Sequence, residues 1–178
     1  MWRALKDGYF LSEFVPNDKP LLVQHLAEKA ISDLTLTVPY PYTEKDADWW
    51  IEHVTAQTKK IKQPLQWAIR DAEAKLIGAI GLSEFVPGEG HKSELGYWMA
   101  KPYWGKGIAT MAVAAVCKVA FEEMGLIRVA ATVFENNERS EKVLLKNGFK
   151  LEGTMKYFYH KNDMLIDGKL YAHVVEPE

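Results

Sequence analysis

"KPYWGKGIAT", residues 101–110, joins an extended-looking stretch to the clearest apolar-periodic stretch of the chain. Two glycines, Gly105 and Gly107, stand at the mouth of a good helix, where glycine costs roughly 0.5–1 kcal/mol relative to alanine. A turn accounts for one of them. Two, with Lys106 between them and the small residues Ala109 and Thr110 behind, indicate that something approaches the backbone. The first-turn N–H groups of a helix lack intrahelical acceptors and carry the positive end of its dipole, so this place suits an anion. Two nucleotide motifs fail here. A P-loop needs Gly-x-x-x-x-Gly-Lys-Ser/Thr, and a dinucleotide fingerprint needs Gly or Ala where Thr110 stands.

Working outward, Ser93–Ala100 reads as the strand that feeds the loop. Ile108, Met111, Ala112, Ala115, Val116 and Val119 then keep helical spacing, closed by Gly125. Leu126–Phe134 is nearly all apolar, the pattern of a strand covered on both faces. Asn137–Asn147 reads as a short helix ended by Gly148, and Phe149–Leu151, Met155–His160 and Lys169–Val175 as closing strands. Upstream, residues 9–15 read as a strand, Pro16–Asp18 as a turn and 19–33 as a helix spaced by Leu22, Leu26 and Ala30. Residues 38–43, "VPYPYT", are too proline-rich for either element. Thr43 opens a helix with a capping-box-like Asp46. Gln66–Arg70 and Lys75–Leu82 form a hairpin across Asp71–Ala74, and 87–92 is a turn. Strands first, then alternating strand and helix, predict a mixed α/β sheet in one domain spanning 1–178.

The totals narrow the function. The 178 residues carry 22 basic and 24 acidic side chains, a net charge of −2 that leaves no electrostatic footprint for nucleic acid or an anionic membrane. The apolar run Met111–Phe121 is too short to span a bilayer, and the start reads as no signal peptide. One cysteine, Cys117, excludes an internal disulfide and points to a reducing, cytoplasmic home. Five scattered histidines offer no ligand spacing, so no metal is expected.

The loop Trp104-Gly105-Lys106-Gly107-Ile108-Ala109 resembles the Gln/Arg-x-x-Gly-x-Gly/Ala acyl-CoA loop of the GNAT N-acetyltransferases, with Trp104 where Gln or Arg is usual. "NNERSEKVLLKNGFKLEG", 136–153, is similar to the family's later Asn-x-x-Ser, helix, Gly-Phe, Glu-Gly motif. "PYPYTEKDADWW" resembles the stretch before the second helix of the RimJ/RimL-like branch. The resemblance implies a mixed, mostly antiparallel sheet of about six to seven strands, helices on both faces, and two splayed central parallel strands, here Ser93–Ala100 and Leu126–Phe134. It implies direct acetyl transfer from acetyl-CoA, as cosubstrate, to an amine, in a monomer or a homodimer.

Carried over residue by residue, the pantetheine arm would pair with Trp98, Met99 and Ala100, and the pyrophosphate would sit on the amides of Gly105, Lys106, Gly107, Ile108, Ala109 and Thr110. Asn137 would hydrogen-bond the cofactor. A backbone N–H near Met99 would stabilise the oxyanion, a contact worth about 3–4 kcal/mol where measured. Ser140 matches the motif's serine and is the leading acid for the leaving thiolate; Tyr157 and Tyr159 compete with it. The carboxylate that some relatives carry beyond Glu-Gly is missing from Tyr157–His160, which leaves Glu94 and Glu84 as bases. His160 is of the residue type suited to proton transfer near neutrality, but a lone strand histidine is more often structural. Tyr40, Tyr42 and Trp49 are candidate walls of an acceptor pocket, while Trp50 fits the core. The acceptor read this way is a protein α-amine. A polyamine or drug amine, or a non-catalytic acyl-CoA-binding module, stands as the alternative.

Overall fold

The computed structural model describes residues 2–83, 85 and 90–176. Strands β1 (Arg3–Ala4), β2 (Phe10–Ser12), β3 (Gln66–Arg70), β4 (Leu76–Ser83), β5 (Lys92–Met99), β6 (Arg128–Phe134), β7 (Lys150–Lys161) and β8 (Met164–Val174) alternate with helices α1 (Lys19–Leu26), α2 (Lys29–Ser32), α3 (Glu44–Ile61), α4 (Ile108–Lys118) and α5 (Glu138–Lys146). Hydrogen-bonded neighbours run β1-β2-β3-β4-β5-β6-β8-β7, so the described residues form eight strands where six to seven were expected. β1/β2, β2/β3, β3/β4, β6/β8 and β7/β8 are antiparallel and β5/β6 is parallel. That parallel register joins Lys92 to Arg128, Ser93 to Val129 and Glu94 to Ala130, a short pairing for strands of eight and seven residues.

Contacts within the chain gather into two units, one reaching to Gly81 and including Tyr97–Ala112, the other made of Leu82–Gly96 and the chain from Val113 onward. In the first, Phe14, Leu22, Leu26, Ile31, Ala47, Ile51 and Val54 close a core against Ala68, Leu76 and Ala79. The capping box at Thr43 is formed as read: Thr43 N–H and Oγ1 donate to Asp46 Oδ2 at 2.7 and 2.6 Å. Ala47, Ile51 and Val54 make the buried face of α3, and Trp50 packs edge-on to Phe14 at 5.9 Å. The helix expected over 19–33 is two helices, because Glu28 turns extended (φ −72°, ψ 110°) between them.

An ion pair of Asp18 and Arg70, with side chains 3% and 7% exposed, lies inside this unit. Arg70 donates to both Asp18 oxygens at 2.7 and 2.8 Å, and to Ser12 Oγ, Ala74 O and Glu13 O. All five guanidinium N–H groups therefore have acceptors, the condition under which a buried charge is tolerated.

In the second unit β7 and β8 form one long hairpin. The two strands expected at Phe149–Leu151 and Met155–His160 are a single strand interrupted by bulges, which break the period-two pattern. β6 alternates: Val129, Ala131 and Val133 are buried, whereas Arg128, Ala130 and Thr132 are only half-buried, so the expected cover on both faces is partial. α4 runs on into a wider turn over Val119–Glu123, where Met124 N–H reaches back to Val119 O.

Candidate functional site

The end of β5 in the first unit is tied down on one edge. Ala100 N–H donates to Ile77 O of β4 at 2.8 Å, and Ala100 O accepts from Tyr103 N–H at 2.9 Å. A methyl group at Gly78 would come within 2.6 Å of Trp98 O, so only glycine lets β4 approach so closely. Strand alternation then turns the Met99 N–H toward the opposite edge. Met99 O does not serve β4 either; it accepts the Trp104 indole N–H at 2.7 Å. Of the three residues expected to offer strand contacts, Ala100 has its groups engaged and Met99 keeps its N–H turned outward. Trp98 and Trp104 lay their rings on the unit's core.

The tryptophan in place of Gln or Arg thus fastens the glycine loop to the strand before it. Gly105 and Gly107 have φ of +75° and +77°, a region that favours glycine, and a Cβ added to either meets nothing within 4 Å. Beyond them α4 begins. Its first backbone bond at this end runs from Met111 N–H to Gly107 O at 3.1 Å, which leaves the Ile108 and Ala109 N–H groups ahead of it. Lys106 lies over the Tyr103 ring at 5.1 Å, and Tyr103 Oη donates to Asp71. Open space above positive-φ glycines, at a helix start, is a cradle suited to a phosphate.

In the second unit, Glu94, Thr132 and Tyr159 come together. Tyr159 is buried, edge-on to Phe134 at 4.6 Å. Burial first, then the charge of Glu94, push its hydroxyl up to about 12, against a hydrogen bond to Thr132 that works the other way. Glu94 and Tyr159 were candidates on sequence; Thr132, the hydrogen-bond partner of Tyr159, carried no signal beyond a polar residue in an apolar strand. Tyr157 and His160 are exposed on the edge strand. Glu84 lies outside the described residues.

Asn137 caps α5 by accepting the Ser140 N–H at 3.2 Å, which engages its side-chain oxygen. Ser140 is half-buried in the first turn. Next to it, Glu141 accepts from Lys169 at 2.9 Å and Tyr171 Oη at 2.8 Å. Burial opposes its charge, yet these two partners hold its carboxyl below the usual range. The sequence reading missed this trio, whose members lie 28 and 30 residues apart.

The aromatic candidates separate. Tyr40 and Trp49 are exposed, and Trp49 stacks on His53 at 5.0 Å. Tyr42, expected in a pocket wall, packs instead among the core side chains of its unit, where burial pushes its hydroxyl up to about 12. Among the described residues no cluster of His, Cys, Asp and Glu is placed to hold a metal, and no helix is long and apolar enough to cross a membrane.

Residues 9–150 match the family described as Acetyltransferase (GNAT) domain. The uncharacterized N-acetyltransferase YoaA of Bacillus subtilis is 32% identical over 117 residues, 65% of each chain. The ribosomal-protein-serine acetyltransferase of Escherichia coli is 32% identical over 106 residues, 60% of this chain and 59% of its own. The chain thus spans about three fifths to two thirds of the length of these relatives. Among solved structures, RimL, a ribosomal L7/L12 alpha-N-protein acetyltransferase in complex with coenzyme A, superposes with a TM-score of 0.88 over 98% of both chains at 17% identity, a likeness of fold.

Proposed function

Because the chain belongs to the GNAT acetyltransferase family, we propose that it transfers an acetyl group from acetyl-CoA directly to a primary amine, and that the acceptor is the α-amine of a protein N-terminus. The observation that carries the reading is the glycine loop, with both positive-φ residues opening onto free space at the start of α4. The choice of a protein acceptor is supported by relatives whose names place acetylation on ribosomal proteins.

Bound acetyl-CoA would supply an acyl group already activated as a thioester. The chain's residues do the rest. N–H groups at the start of α4 hold the pyrophosphate, and the outward N–H of Met99 meets the negative charge that builds on the carbonyl oxygen. Glu94 takes the proton from the amine, directly or through water. The Asn137 amide nitrogen donates to the cofactor. Ser140 donates a hydrogen bond to the departing sulfur, and Tyr159 is the competing hydroxyl. Tyr159 holds its proton up to about 12, whereas a free thiol titrates near about 8.5. Complete transfer from that hydroxyl would run uphill, so a hydroxyl here acts as a hydrogen-bond donor rather than a full acid.

A thiol-release assay against small amines and peptides, run beside Gly107→Trp, tests the reading. Release with peptides, abolished in the variant, is the expected result. A variant that turns over like wild type would place the cofactor elsewhere.

A further inference from the structure

The β7/β8 hairpin contains a surplus that regular pairing does not need. Met155 faces Gly168 and Tyr159 faces Ile166, so Lys156, Tyr157 and Phe158 stand against Asp167 alone. Two residues are therefore extra. Tyr157 takes up the excess in the left-handed region, with φ of 51°. Asp167 grips this bulge on both sides: Oδ1 accepts the Tyr157 N–H at 2.8 Å and Oδ2 meets Lys156 Nζ at 2.5 Å. Its carboxyl also meets the Glu135 side chain, and its carbonyl accepts the Glu135 N–H at 3.0 Å. Phe158 closes over Gly168, where an added methyl group would lie 3.1 Å from the ring.

A regular continuation from Met155 and Gly168 would pair Lys156 with Asp167 and Tyr157 with Ile166. A slip of two residues keeps every side chain on its face, so Tyr157 would enter the place Tyr159 now holds, and both registers fill it with a tyrosine. The bulge decides between them: Tyr157 is 68% exposed and Tyr159 is 8% exposed. We infer that Asp167 is a positioning residue which, by pinning the bulge at Lys156 and Tyr157, selects Tyr159 rather than Tyr157 to face Thr132 and Glu94. Its bearing on catalysis rests on the acetyl-transfer reading above; the selection itself does not.

Nitration of the folded protein by tetranitromethane, read by fragmenting the tryptic peptide Tyr157–Lys161, reports which tyrosine is outside. Wild type and Asp167→Asn, which keeps an oxygen for the Tyr157 N–H, are expected to nitrate at Tyr157 and spare Tyr159. In Asp167→Ala the protection of Tyr159 is lost and that of Tyr157 gained. A folded Asp167→Ala that still spares Tyr159 overturns the inference. Should that variant fail to fold, deleting Lys156 and Tyr157 in its background, which removes what Asp167 pins, should restore folding, and a deletion variant that stays unfolded overturns the inference. The deletion removes the two extra residues and sets Phe158 against Asp167's position and Tyr159 against Ile166, so Tyr159 should again be spared; its nitration there overturns the inference. On the catalytic side, Asp167→Ala should lower kcat with little change in the KM for acetyl-CoA, and should make turnover sensitive to Tyr157→Phe. Reversed nitration with turnover that stays at the wild-type level even after Tyr157→Phe would remove the tyrosine at this place from the reaction and leave the register assignment standing.

Discussion

Gly107→Ala should harm ligand binding far more than folding. Its φ of +77° costs an L-residue about 1–2 kcal/mol, offset by about 0.4–1 kcal/mol because alanine restricts the unfolded chain. An added Cβ meets nothing within 4 Å, so no clash enters. The net loss is about 0–1.6 kcal/mol, or at most roughly 6 °C in Tm for a chain of this size. Losing one amide–phosphate hydrogen bond, worth about 1.5–3 kcal/mol when one partner is charged, weakens acetyl-CoA binding about 10- to 150-fold. Gly125→Ala is the matched control: its φ is +68°, its Cβ direction is equally open, and it lies beyond the far end of the helix. Thermal unfolding and calorimetric titration with acetyl-CoA should show similar Tm losses in both variants and weakened binding only at position 107. Equal, unweakened binding in both would mean that the loop glycines serve the turn alone.

Asp18→Ala should cost about 3–5 kcal/mol, since it strands a buried guanidinium, and Asp18→Ala with Arg70→Met should cost less than the sum of the single changes in urea unfolding; additive losses would refute the coupling. His25 is held below its ordinary value by burial, against a hydrogen bond to Leu76 O at 3.0 Å. The unfolded chain therefore binds this proton first, and stability conferred above about 6.5 falls as pH drops through that value toward the folded-state pKa. Urea midpoints should decline more on acidification in wild type than in His25→Gln, and parallel declines would exclude the histidine. Trp104→Phe removes the indole bond to Met99 O and should raise the KM for acetyl-CoA in the thiol-release assay while leaving the fold intact by circular dichroism. An unchanged KM would show that the tether is dispensable.

Elements whose determinants are local were legible in the sequence. The Thr43 cap, the Asp71–Ala74 hairpin turn, the glycine-started α4 and the Asn137-capped α5 each follow from residues within a turn of one another. The break at Glu28 escaped because the apolar spacing of Leu22, Leu26 and Ala30 runs straight through it, while the backbone does not. The Asp18–Arg70 pair joins residues 52 positions apart, and Thr132 meets Tyr159 only once β6, β8 and β7 are ordered side by side. Composition and periodicity carry no trace of either. Tyr42 shows the same limit from another side. A proline-held loop says that its tyrosines are outside helices, but not that one of them points inward.

The tether from Trp104 also changes what kind of attraction the loop can exert. With an indole where Gln or Arg is usual in the family, and with Lys106 drawn over Tyr103, recognition of an anion, on the reading proposed above, would fall mainly to neutral amide dipoles at contact range. Counter-ions screen separated charges over about 10 Å at 0.1 M ionic strength, but they compete poorly with hydrogen bonds already made. An anion seated there would be retained in concentrated electrolyte, and its capture would gain little from long-range steering.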